Sequence, residues 1–136
     1  MTTFVTMKLK FIKAEDTEHN AKATVHTTGK LGFSSDAIGF LQLTEEKTIQ
    51  FAQNEDDEND LNLYAVIYSS AQEGAFKINK AGEYFYVNTK NLFDTLGIDY
   101  KNTRVIYDLV KGEYEGTPII KMLRREIKKK KKDMPT

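Results

Sequence analysis

Apolar and polar residues alternate in short runs along this chain, and the run lengths predict strands with two brief helices rather than a helical bundle. Over residues 4–12, Val5, Met7, Leu9 and Phe11 alternate with Thr6, Lys8 and Lys10, which predicts a half-buried strand. Residues 13–20 read as a polar loop. A second strand is predicted over 22–28, with Ala23, Val25 and Thr27 on one face and His26 on the other. Gly29-Lys30 marks a turn, and Leu31 and Phe33 lead into Ser34-Ser35-Asp36. A serine followed by an acid starts a helix well, because the hydroxyl accepts free N–H groups and the acid favours the positive end of the helix dipole. Ile38 and Leu41 share a face of that helix, and Leu43 ends it. Strands follow at 48–52 and 61–68. The five acids within 55–60 between them predict an extended, solvated loop.

The second half follows the same plan. Phe76 and Ile78 alternate, Lys80-Ala81-Gly82 turns, and Phe85 and Val87 point away from Tyr84 and Tyr86. Asn88 or Thr89 caps a helix whose Leu92, Phe93 and Leu96 share a face, and Gly97 stops it. Val105, Tyr107 and Leu109 begin a strand, residues 111–117 form its hairpin loop, and Pro118 to Leu123 return. A proline at the first strand position is tolerated because it lies outside the ladder. After Glu126 the pattern dissolves into a lysine run, expected to be disordered.

The two halves correspond residue by residue. Val25, Leu31, Phe33, Ile38, Leu41, Leu43 and Ile49 match Ile78, Phe85, Val87, Leu92, Leu96, Ile98 and Val105, at offsets of 53, 54, 54, 54, 55, 55 and 56. The expected architecture is therefore mainly β with two short helices (α+β). A duplicated strand-strand-helix-strand-strand unit would form a pseudo-two-fold β-barrel. The expected organisation is an N-terminal strand and loop (1–21), a first unit (22–70), a second unit (74–124) and a basic tail (125–136), with 1–124 as one compact domain.

Composition narrows the function classes. Of the 136 residues 40% are apolar, with seven Tyr and eight Phe, enough for a sizeable core. The absence of cysteine removes disulfides, thiolate nucleophiles and Cys-based metal sites, and fits a reducing compartment. No apolar run approaches the roughly 20 residues that span a bilayer. The N-terminus has no signal-peptide core, so a cytoplasmic location without membrane contact is expected. The zero net charge hides an asymmetry. Residues 121–136 carry eight basic and two acidic side chains, a net of +6, whereas residues 1–120 carry 12 and 18, a net of −6. The molecule is an acidic body with a basic tail.

The strand, turn, short strand, short helix, Leu-x-(Leu/Ile), strand, hairpin, strand order resembles the SpoVT/AbrB swapped-hairpin module. The match is clearest over Gly82 to Met122, around Leu96-Gly97-Ile98. Gly29 to Ile67 is a weaker copy, with Leu41-Gln42-Leu43 in the same place. Two copies in one chain are similar to the tandem arrangement of MraZ-type proteins. The resemblance covers roughly residues 22–124 and implies a DNA-binding transcription regulator. The family usually has a proline before the helix and arginines at its start. Here Phe33-Ser34 and Val87-Asn88 stand at the matching positions, and Lys90 is the one expected cation. The Asp-x-x-x-Arg signature of MraZ proteins is missing, so the resemblance carries the fold further than the family's DNA-reading residues. Alternative folds are a two-layer β-sandwich with two small helices and a PC4/Whirly-like sheet; the long helix that ends the latter's repeat has no counterpart in the pattern.

The tail supplies the strongest chemical signal. Arg124, Arg125, Lys128, Lys129, Lys130, Lys131 and Lys132 would contact phosphates without reading sequence, or would act as a solubilising segment. Lys30, Lys80 and Lys90, near the turn and helix start of the units, would approach a duplex. Tyr84 and Tyr86, interleaved with lysines, would stack the bases of a single strand unless both sheet faces are buried. His19 and His26 have no partner at metal-ligand spacing, and no catalytic triad or phosphate-binding loop is present. The acidic loop lacks the glycine and spaced acids of a calcium loop. The expectation is a non-enzymatic nucleic-acid-binding protein, with DNA favoured, self-association, and no cofactor, metal or small-molecule substrate. The alternatives are a protein-interaction or assembly module and a single-stranded nucleic-acid binder.

Overall fold

A computed structural model of the chain describes residues 21–128 together with Leu9 and Phe11. The strand expected over 4–12 lies outside the described residues except for Leu9 and Phe11, which are exposed and carry no strand pairing. The first half contains β1 (Lys22–Val25), β2 (Leu31–Phe33), α1 (Ser35–Leu41), β3 (Thr48–Ala52) and β4 (Leu63–Tyr68). The second contains β5 (Phe76–Lys77), β6 (Asn79–Ala81), β7 (Tyr84–Val87), α2 (Lys90–Thr95), β8 (Thr103–Tyr114) and β9 (Thr117–Lys128).

These nine strands form one antiparallel sheet in the order β5-β3-β4-β9-β8-β1-β2-β7-β6. The two ends of that order, β5 and β6, are separated in the chain by Ile78 alone, so the sheet curls into a nearly closed barrel. Ile78 itself is fully buried. The interior is filled by one member of each alternating pair. Ala23, Val25, Leu31, Ile49, Leu63, Val87, Val105, Tyr107, Leu109 and Met122 are all buried, as the periodicity of two requires. Burying a side chain of the Val, Leu, Ile or Met class contributes about 1.5–3 kcal/mol, so this interior is the main source of stability.

Both helices end in the same way. After α1 the chain turns left-handed at Gln42 (φ 54), and Leu43 N–H reaches back to the Ile38 carbonyl while Gln42 N–H reaches Gly39. After α2, Gly97 (φ 72) takes the left-handed turn, with Ile98 N–H on Phe93 and Gly97 N–H on Asp94. This is a Schellman ending, in which the apolar residue after the left-handed position packs back on the helix. The Leu-x-(Leu/Ile) signature in each half is its sequence trace. At the other end of α1, Ser34 Oγ accepts from Ala37 N–H at 3.2 Å, as expected. Thr89 precedes α2 but makes no such cap; its hydroxyl donates instead to the Gly29 carbonyl at 2.8 Å.

The structure corrects several boundaries. The hairpin loop expected over 111–117 is only Glu115-Gly116, both at positive φ, and the strands on either side are 12 residues each. Strand β9 runs on to Lys128, past the expected end of the second unit at 124, because Thr103 to Asp108 offer it an antiparallel partner. Strand β4 begins at Leu63, and Leu61 is exposed. The acidic loop is not extended by repulsion. The side chains of Asn54, Asp57 and Asp60 each accept the N–H two residues on, at 3.0, 2.9 and 2.9 Å, making three successive Asx turns. The Tyr64 hydroxyl closes the loop on Asp60 at 2.5 Å and is the largest reason that carboxyl is held below its usual range. No described helix is long and apolar enough to cross a membrane.

Candidate nucleic-acid interface

The outer-face positions of five adjacent strands line up in one row, in which Ile106 and Gly32 are buried. Arg125 lies opposite Ile106, Ile106 opposite Thr24, Thr24 opposite Gly32, and Gly32 opposite Tyr86. Since directly opposed residues of antiparallel strands share a face, this is one row across β9, β8, β1, β2 and β7. A parallel row holds Asp108 opposite Lys22. Arg104 and His26 flank the paired Val105 and Val25 at the other side.

Gly32 shapes the centre of this surface. A Cβ there would stand 1.8 Å from the Tyr84 hydroxyl and 2.5 Å from His26 Nε2. The bare backbone lets the Tyr84 ring lie across β2 and meet His26, with Tyr84 Oη and His26 Nε2 2.5 Å apart. Tyr86 stacks beside Tyr84, with centroids 5.8 Å apart and planes at 19°. Lys30 Nζ lies 4.7 Å from the Tyr86 centroid, a cation–π contact. Burial, then Arg104, then Lys30 lower the His26 pKa, so the imidazole is neutral at pH 7. Burial, then the neighbouring Tyr86, raise the Tyr84 pKa, so the phenol keeps its proton. The phenol therefore donates to the unprotonated Nε2.

Cations surround this aromatic centre. Lys22, Arg104 and Arg125 lie in these rows, Lys30 stands in the adjoining turn over Tyr86, and Asp108 is the acid among the paired positions. Arg125 grips Asp108 through Nε at 2.6 Å and Nη2 at 3.2 Å, which raises the guanidinium pKa further. A positive surface thus sits on a body whose first 120 residues sum to −6.

The structure separates residues that the sequence grouped. Lys30, Arg125, Tyr84 and Tyr86 share the surface. Lys80 does not: it stands opposite Phe85, with Nζ 5.6 Å from that ring, in a cleft of about 520 Å³ beside Glu45 and Glu46. Lys90 begins α2 against Gly29, where a Cβ would come within 2.7 Å of its own, but its ammonium is tied to Asp94 at 2.8 Å. Arg124 faces the other way from Arg125, opposite the buried Tyr107, and pairs with Glu126. Lys128 ends β9 opposite Thr103. Lys129, Lys130, Lys131 and Lys132 lie outside the described residues.

Lys22, His26 and Arg104 had no place in the sequence-based site. The signal for them was the outward half of each alternation: Lys-x-Thr-x-His in β1 and its turn, and Arg-x-Ile-x-Asp in β8. Among the described residues no group of three His, Cys, Asp or Glu is arranged to hold a metal ion. Comparison of the chain with protein-family models, with curated proteins and with solved structures finds no match.

Proposed function

We propose that this protein is a non-catalytic nucleic-acid-binding protein that meets a duplex with the outer surface of β9, β8, β1, β2 and β7. The observation that carries this reading is the clustering of Lys22, Lys30, Arg104 and Arg125 on one face of an otherwise acidic body. Such a face attracts phosphates by counterion release, and the acidic remainder orients the approach. Duplex is favoured over a single strand because Tyr86 is already engaged by Tyr84 and Lys30, and the Tyr84 hydroxyl by His26. A stacking platform needs aromatic faces open to bases.

The proposal includes a duplicated, AbrB-like barrel. Its support is the strand order. Taking β5 and β6 as one strand interrupted at Ile78, exchange of β1 with β6, β2 with β7, β3 with β8 and β4 with β9 maps the circular order onto itself. Strand β2 then pairs with its own counterpart β7, and β4 with β9. Gly32 and Tyr86, which lie opposite each other, are also separated by the offset of 54 that relates the units.

Fluorescence anisotropy with labelled duplex and single-stranded oligonucleotides, at low and near-physiological salt, tests the reading. The expected result is duplex binding that persists at physiological salt and weakens about tenfold or more in Lys30→Glu with Arg104→Glu, each lost phosphate contact being worth on the order of 1 kcal/mol. Binding unchanged by both charge reversals would rule this surface out. A preference for single strands, lost in Tyr84→Ala with the fold intact, would transfer the function to the tyrosines.

A further inference from the structure

A second recess opens where β8 and β9 approach their turn, beside the end of α1. It measures about 450 Å³, within the roughly 300–1,000 Å³ of small-molecule sites. It shares no lining residue with the cationic outer surface. Leu41, Ala65, Ile67 and Ile120 make its apolar wall. Its charged lining residues are Lys47 and Lys111, and no acid lines it.

Three features distinguish this recess. Lys111 lies opposite Ile120, on the same sheet face as Val105, Tyr107 and Leu109 but beyond the buried part of the strand, so an exposed ammonium borders the apolar wall. It is held 4.9 Å from the Phe40 ring centroid. Lys47 reaches across to the recess and donates to the Gln42 carbonyl at 2.7 Å. Gln42 itself occupies a left-handed position that glycine adopts freely, and the corresponding position after α2 is Gly97. The strained side chain is kept at the one helix end that lines this recess. Backbone strain of this kind clusters at binding sites, where the side chain it retains has a use.

We propose that this recess is a binding site for a small amphipathic carboxylate. Its apolar body lies along Leu41, Ala65, Ile67 and Ile120. Its carboxylate takes charge-assisted hydrogen bonds from Lys47 and Lys111, and the Gln42 amide donates to it. The site is independent of nucleic-acid binding, since no residue is common to both.

The test is an amide NMR titration of the full-length chain with sodium octanoate, with 1-octanol as the uncharged control of equal chain length. Octanoate is expected to produce saturable shifts centred on residues 40–42, 65–67, 111–112 and 118–120, and to bind about tenfold more tightly than octanol because of the two ammonium partners. Lys47→Ala with Lys111→Ala, at a half-buried and an exposed position, should abolish that preference while leaving the spectrum folded. Gln42→Gly should melt at a higher temperature yet bind octanoate several-fold more weakly. Equal affinity for octanol and octanoate, shifts scattered over the outer surface, or unchanged octanoate binding in the double lysine variant would each overturn the proposal. Undiminished binding in Gln42→Gly would remove Gln42 from the site.

Discussion

Gly32 has no positive φ, so its missing side chain matters for space and not for backbone freedom. A methyl group there would displace Tyr84 and break its contact with His26. Gly32→Ala is expected to cost little stability, because the atoms a Cβ would meet are the far ends of two side chains at the surface. It should still weaken duplex binding, because Tyr84, Tyr86 and Lys30 form one contact chain. Urea denaturation and anisotropy on the same variant check both effects. His26 makes a pH prediction. Burial, Arg104 and Lys30 lower its folded pKa below the ordinary 6.5. The unfolded chain therefore takes up this proton first, and stability rises with pH across the interval between the two values. This contribution is complete above 6.5 and is lost as pH falls through the folded value. In His26→Gln the melting temperature should fall less steeply just below pH 6.5 than in the parent protein. Parallel melting curves for the two would contradict it.

At the scale of elements, the turn between β1 and β2 is joined to the start of α2 by one buried hydrogen bond. Thr89 is fully buried and its hydroxyl donates to the Gly29 carbonyl, 60 residues away. Thr89→Val preserves shape but leaves that carbonyl without a partner, which costs about 1–3 kcal/mol. Thr89→Ser should recover most of the loss. The denaturation midpoints of the two variants distinguish the hydrogen bond from simple packing. Helix starts of the two kinds also show what local sequence can disclose. Ser34 caps α1 as its chemistry predicts, because its partner Ala37 lies three residues on. Thr89 has equal capping chemistry, but a carbonyl from the other half of the chain competes for its hydroxyl and wins. The Schellman endings are local in the same sense, and both were legible as Leu-x-(Leu/Ile).

For the whole molecule, the barrel closes through chain continuity at Ile78, and the halves interleave as pairs of strands around it. This arrangement changes the meaning of the basic C-terminus. Arg124 to Lys128 belong to β9, where Arg125 pairs with Asp108 and Arg124 with Glu126. A truncation beginning at 124 would cut into the sheet and confuse loss of fold with loss of charge. Truncation after Lys128 removes Lys129 to Lys132 and leaves β9 whole. That shorter chain should unfold as the full one does, bind every duplex more weakly, and show a shallower dependence of log affinity on log salt by somewhat less than one unit per lost phosphate contact. An unchanged slope would assign the tail no role in binding.

The alternation of apolar residues determined by itself that this chain would be mainly β with two short helices. It also determined which side chains would fill the interior, because a period of two or 3.6 is a property of neighbours in the chain. Positions such as Val105, Tyr107 and Leu109 needed no knowledge of their partners. Tertiary structure alone decided the register between strands, and register decides which outward residues meet. Lys30 and Lys80 each lie close to a turn glycine in the sequence, yet one joins Tyr86 on the outer surface and the other, within β6, lies near two glutamates in a cleft. Arg124 and Arg125 are adjacent in sequence, yet pairing with β8 sends one inward beside Tyr107 and the other outward beside Ile106. His26, Gly32 and Tyr84 come together across 58 residues because three strands happen to align there. A contact between distant segments depends on how strands are paired, and no local periodicity encodes that pairing.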